Sequence, residues 1–218
     1  MKVALLFFMS LAPFALFAQR SSGSPEQEFW KWFQSNETAL FDFENDQERI
    51  FDRIGNALHK IDPALTFEFG PKEGGRREFV ISADGIRSAF PKVEALYAAA
   101  PSLPRWKFIK FRPRRAPMDI TYGSITVKAR SVVVGLEPAG PKANLTIFIP
   151  GYSRTAHQTY MAIAFLLLDE ALGEYDVETR IGNIDIKPLT DAPSSACSLE
   201  ALPRAFDSSF LSKRPGSQ

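Results

Sequence analysis

Two runs of alternating residues, one on each side of Gly74-Gly75, tie this chain to a definite local geometry. Leu65, Phe67 and Phe69 alternate with Thr66 and Glu68, and Phe79, Ile81 and Ala83 alternate with Glu78, Val80 and Ser82. A period of two puts the first set of each run on one sheet face, and a glycine pair between the runs suits the turn of a β-hairpin. A hairpin alone is marginal in water, so its apolar face needs a covering layer. The preceding segment supplies one. Ser24 is placed to cap a helix that starts at Pro25, with Gln27 completing a capping box. Phe29, Trp30 and Phe33 recur at helical spacing with Trp32 beside them, an aromatic face that the rest of the fold must cover. A second helix is expected over residues 46–61, where Ile50, Ile54, Leu58 and Ile61 form one stripe. Asp62-Pro63 stops it, because the residue before proline avoids helical geometry.

Beyond the hairpin, Val93, Leu96 and Tyr97 mark a further helix leading to Pro101 and Pro104. Strands are expected over residues 106–112, 125–129, 132–136, 145–149 and 177–186, and a long apolar helix over 155–172 that Gly173 can close. Residues 191–218 read as an irregular tail, with Pro193, Pro203 and Pro215 interrupting any pattern. This order implies an α+β fold, a largely antiparallel sheet with helices packed on it. At 218 residues, 45% hydrophobic and 12% aromatic, the chain can bury a proper core. The length favours a single domain, placed at 25–190 after a polar linker at 19–24.

The first residues read differently. Lys2 precedes a nearly continuous apolar run at 3–17 that ends at the small residue Ala18, the pattern of a secretory signal peptide over residues 1–18. The run falls short of the roughly 20 apolar residues that span a bilayer as a helix, so no membrane span is expected after cleavage. The protein is therefore expected outside the cytosol, periplasmic or extracellular. Cys197 is the single cysteine, which rules out an intramolecular disulfide and leaves stability to the core. Asn36-Glu37-Thr38 and Asn144-Leu145-Thr146 match the glycosylation sequon, a short pattern that matters only in a eukaryotic secretory pathway.

Lysine and arginine total 26 against 25 aspartates and glutamates, and loss of Lys2 with the signal segment leaves the remainder formally neutral. Neutrality argues against a general nucleic-acid binder. The charges cluster nonetheless. Glu37, Asp42, Glu44, Asp46, Glu48 and Asp52 form an acidic stretch, and Arg105, Lys107, Lys110, Arg112, Arg114 and Arg115 a basic one.

Four strings, Phe29-Trp30-Lys31-Trp32-Phe33, Thr66-Phe67-Glu68-Phe69-Gly70, Ile81-Ser82-Ala83-Asp84-Gly85 and Lys107-Phe108-Ile109-Lys110-Phe111-Arg112, resemble those of a bacterial hypothetical-protein family, a domain of unknown function. The resemblance covers about residues 28–115, with an echo over 175–189. It implies a bacterial source and lends no catalytic residue.

Gly151-Tyr152-Ser153-Arg154-Thr155 follows an apolar strand and opens a helix, as the nucleophile elbow of α/β-hydrolases does. Thr155 stands where that motif needs its second glycine, however, and no histidine follows His157. Ser153 or Thr155 serves more simply as a helix N-cap. His157 could act as a base, and His59 near a helix end favours the negative end of that helix. The two histidines do not stand at zinc-motif spacing, and no metal site is expected. Glu68 and Glu78 leave the non-core face of the hairpin and could approach as paired carboxylates, although a solvated sheet face explains them too. Gly70, Gly74 and Gly75 lack the spacing of a nucleotide loop, and no cofactor is expected. Arg112, Arg114 and Arg115 follow a strand that Pro113 and Pro117 keep from continuing as a regular central strand, and their guanidinium groups are expected to be exposed, as an anion or partner site. The function expected is a non-enzymatic exported domain that binds a protein or a small anionic ligand, with an esterase-like hydrolase built on Ser153 as the alternative.

Overall fold

A computed structural model describes residues 23–211; the signal segment at 1–18 and most of the linker lie outside the described residues. The chain opens with α1 (Pro25–Ser35), α2 (Glu37–Phe41), a 3-10 turn at Phe43–Asn45 and α3 (Gln47–His59). The Ser24 hydroxyl accepts from the Gln27 amide at 3.3 Å and the Gln27 side chain accepts from the Ser24 amide at 3.2 Å. This reciprocal capping box satisfies donors that the first helical turn otherwise leaves unpaired. Phe29, Trp30 and Phe33 of α1 and Ile50, Ile54 and Leu58 of α3 are buried.

The hairpin forms as β1 (Thr66–Glu73) and β2 (Arg76–Ser82), antiparallel, with Phe67 opposite Ile81 and Phe69 opposite Phe79. Helix α4 (Phe90–Ala98) then carries the chain back to β3 (Trp106–Lys110), which pairs parallel to β2. A parallel neighbour needs such a crossover, because a tight turn can only reverse the chain. Aromatic rings fill the space between helices and sheet. Phe33 meets Phe79 at 5.1 Å and Trp106 at 4.9 Å, and Trp30 meets Phe108 at 4.5 Å. These steep, edge-on pairs contribute about 0.5–1.5 kcal/mol each beyond the burial of their area. The opposite face of β2 is not simply solvated, since Val80 and Ser82 are buried as well.

The second half carries the two-stranded ribbon β4 (Ile120–Tyr122) and β5 (Ile125–Val127), followed by β6 (Val133–Ala139), β7 (Lys142–Ile149) and α5 (His157–Leu172). It ends with α6 (Glu174–Arg180), β8 (Ile181–Pro188), β9 (Cys197–Ser198) and α7 (Leu202–Leu211). A four-stranded sheet runs in the order β8-β7-β6-β9. Its β6–β7 and β6–β9 pairs are antiparallel, and β7–β8 is parallel. The protein is thus an α+β fold in which antiparallel pairing dominates. The strands are divided among three sheets rather than joined in one. Buried residues fall into two clusters, one built from α1–α4 with β1–β3 and the other from α5–α7 with the four-stranded sheet. Among the described residues no helix is long and apolar enough to cross a membrane.

Two stretches depart from the sequence reading. Residues 177–180, expected in a strand, belong to α6, and the strand begins at Ile181. Gly173, at φ 80°, ends α5 and lets a new helix start with Glu174 and Asp176 in its first turn, where carboxylates favour the N-terminal dipole. The tail expected to be irregular from 191 instead adds β9 to the sheet edge and α7 to the core, burying Leu199, Leu202 and Phe206. Pro203 does not prevent the helix, because the first turn has no amide partner to lose.

Candidate functional site

The segment leaving β3 holds the two halves together. Phe111 has φ 60°, in the left-handed region that a bulky side chain rarely occupies. Its amide donates to the Ile81 carbonyl at 2.7 Å, and the strained residue turns the chain so that the next amide, Arg112 N–H, meets the Glu174 carboxylate at 3.0 Å. Glu174 is fully buried at the start of α6. Its other oxygen accepts from the amides of Ala83 at 3.0 Å and Gly85 at 3.2 Å. One carboxylate therefore satisfies three backbone donors of the first half. Gly173 is needed beside it, since a Cβ there would lie 3.1 Å from the Arg112 carbonyl oxygen and 3.3 Å from the Arg114 nitrogen.

Of the three arginines expected to be exposed, Arg114 and Arg115 lie at the surface and Arg112 is half-buried, and all three are engaged with carboxylates. Arg112 binds Glu68 and, at 2.8 Å, Asp84. Burial works against its charge, but these two hydrogen bonds hold its pKa above the usual arginine range. Arg114 donates to Asp207 at 2.8 and 2.9 Å, to Asp176 at 2.6 Å and to the Leu172 carbonyl at 3.0 Å. Arg115 donates to Glu78 at 3.0 Å. A bidentate pair with carboxylate is the geometry that suits guanidinium best. These three arginines are thereby paired with carboxylates from both halves of the protein, Glu68, Asp84 and Glu78 from the first and Asp176 and Asp207 from the second. The acidic stretch supplies Asp42 and Glu44 to Lys72 and Arg77.

The same pairing decides the carboxylates. Glu68 lies opposite Val80, so Glu78 shares its sheet face on the neighbouring strand, but each is held by a different arginine. Hydrogen bonds from Lys107 and then Arg115 outweigh partial burial and keep the Glu78 carboxyl below the ordinary glutamate range. It is an anion at neutral pH and does not serve as the protonated partner of an acid–base pair. Asp169, near the end of α5, is displaced the other way, as Glu178 is. Burial pushes the Asp169 carboxyl up to about 7, against the pull of Arg112 and with Glu174, Glu178 and Asp84 adding to the rise. The sequence reading did not single out Asp169 or Glu174. The signal it could have used is a carboxylate at each edge of the break between two helices, beside an otherwise apolar run.

Ser153 and His157 are close in sequence but are not joined by a hydrogen bond. The Ser153 hydroxyl bonds to Thr155 at 3.1 Å, and His157 Nδ1 to the Tyr152 hydroxyl at 3.0 Å. Ser153 has extended backbone, at φ −136°, and no side-chain capping bond. Neither a strained backbone at the serine nor the nucleophile–base contact is present, and Ser153 stands at the N-cap position of the 3-10 turn Arg154–Ala156 without a capping bond from its side chain. Among the described residues no three His, Cys, Asp or Glu side chains are grouped to hold a metal ion.

Beside the arginine junction lies a cleft of about 490 Å³ lined by Lys110, Phe111, Arg114, Gly173, Tyr175 and Asp176 among others. Phe111 is buried and Tyr175 is 47% exposed. The Tyr175 ring lies 5.1 Å from Phe111 and stacks at 5.9 Å on Phe90, which itself touches Phe111 at 4.6 Å. At the rim, Lys110 pairs with Glu94 at 3.3 Å and keeps nearly half its side chain exposed. The arrangement offers an aromatic surface with a half-exposed cation at its edge, suited to a ligand with a flat apolar body and an acidic group. No protein-family model matches the chain, and no curated protein matches it.

Proposed function

We propose that this chain is an exported bacterial domain that binds a small anionic ligand, or an acidic segment of a partner protein, in the cleft of Phe111 and Tyr175, without catalysing its conversion. The observation that carries the reading is Tyr175, an exposed ring backed by two buried phenylalanines. A ring so fixed gives a ligand large contact area at low entropic cost. Lys110, with donors beyond the one on Glu94, is the group that meets the ligand's acid. Export is supported by Lys2 and the apolar run at 3–17, and a bacterial source by the strings within 28–115.

The test is an amide NMR titration of residues 19–218 with aromatic carboxylates and their neutral amides. Shifts that saturate, cluster around Lys110, Phe111 and Tyr175, favour the acids and disappear in Tyr175→Ala support the reading. Saturable binding that maps elsewhere overturns the site. Hydrolysis of ester substrates by the wild type, lost in Ser153→Ala, overturns the non-enzymatic assignment.

A further inference from the structure

The first half encloses a charged group that no surface requirement explains. Arg77 points from β2 into the aromatic core, where its side chain is 1% exposed. Its guanidinium lies 4.3 Å from the Phe43 ring, 5.7 Å from Phe41 and 5.8 Å from Phe69. One nitrogen bonds Glu44, on the 3-10 turn over the site. The other two, Nε and Nη1, are buried without a protein acceptor, and so is Nε1 of Trp106. Trp106 is the register neighbour of Arg77 on β3, and its ring contacts the same two walls, Phe41 at 5.6 Å and Phe69 at 5.8 Å. Three donor nitrogens without an acceptor therefore belong to two side chains that lie against the same aromatic walls. A buried donor left unpaired costs about 1–3 kcal/mol, more when it is charged.

Charge in the same place is unbalanced. Around the Phe41 ring stand Arg105 at 3.6 Å, Lys72 at 5.2 Å and Arg77. Asp42 and Glu44 pair with Lys72 and Arg77, whereas Arg105 has no carboxylate partner among the described residues. The geometry points to a binding site for a small monovalent anion of halide size between Arg77 and Trp106, beneath the turn that carries Glu44. The compartment presents donors and aromatic faces. An anion is an acceptor only and so suits donors that lack an acceptor, whereas a water molecule brings two protons of its own that would have to find aromatic faces or the Glu44 carboxylate already paired with Arg77. The site is separate from the cleft of Tyr175 and does not depend on it.

Bromide is the probe, with residues 19–218 as the protein. At constant ionic strength, replacing sodium gluconate by sodium bromide should raise the melting temperature along a saturable curve, because a ligand of the folded state alone shifts the equilibrium by mass action. Trp106→Phe keeps an aromatic ring and removes one donor, and should weaken the apparent affinity about five- to tenfold. Crystals grown in bromide should show anomalous density between Arg77 and residue 106 in the wild type. A melting temperature indifferent to bromide, a response unchanged in Trp106→Phe, or an ordered water in place of the halide overturns the assignment. Because the bromide crystals use the unaltered protein, the test stands even if a variant fails to fold.

Discussion

Asn in place of Asp169 removes a carboxyl whose folded-state pKa lies near 7, against 3.8 for the unperturbed group. A group held protonated by the folded state acts opposite to an ordinary paired carboxylate. Below about pH 4 both states carry the proton and the residue is neutral in its effect. Between about pH 4 and pH 7 the unfolded chain releases the proton while the native chain keeps it, so stability falls as pH rises. Above pH 7 the loss is complete. At about 1.4 kcal/mol per pKa unit, the full loss is on the order of 4 kcal/mol. Asp169 is 20% exposed and Arg112 lies 3.9 Å away, so relaxation and water reduce this to an expected 2–4 kcal/mol. Urea unfolding of wild type and Asp169→Asn, followed by tryptophan fluorescence from about pH 3 to about pH 8.5, isolates the residue, since other titrations cancel in the difference. The variant should match the wild type at low pH and exceed its stability by about 2–4 kcal/mol above pH 7.5. A difference that does not change with pH refutes the reasoning.

Glu174→Ala strands the amides of Ala83, Gly85 and Arg112 and should cost about 3–5 kcal/mol by urea unfolding, with hydrogen exchange at those three amides accelerated more than in the core of α1. Phe206→Ala should cost about 3–5 kcal/mol, because its ring is fully buried and also carries the Arg180 guanidinium at 5.2 Å; a change under 1 kcal/mol would mean that α7 does not belong to the core.

Much of the local structure was legible before any fold was known. The Ser24-Pro25-Gln27 box, the Asp62-Pro63 stop, the Gly74-Gly75 turn and the apolar run ahead of Gly173 each act within a few residues, so helices α1, α3 and α5 and the hairpin follow from adjacent chemistry. Where local preference and helix electrostatics disagreed, the reading failed. Val177 and Thr179 favour a strand by side-chain shape, yet Glu174 and Asp176 at a fresh N-terminus made the segment helical. Prolines between 188 and 203 obscured the spacing of Leu199, Leu202 and Phe206 that seats α7.

The candidate sites were another matter, because a charged side chain does not carry the identity of its partner. Arg114 finds Asp207 at a separation of 93 residues, and Glu174 reaches Ala83 across 91. Composition and periodicity were enough for the class of fold, the aromatic core and the elements that bound it, since those depend on the chain's own neighbours and on how much apolar surface it must bury. Which carboxylate each arginine meets, which carboxyls burial pushes upward and which ring is left facing a cleft were decided by tertiary packing, through distances, burial and electrostatic fields that exist only once the chain is folded.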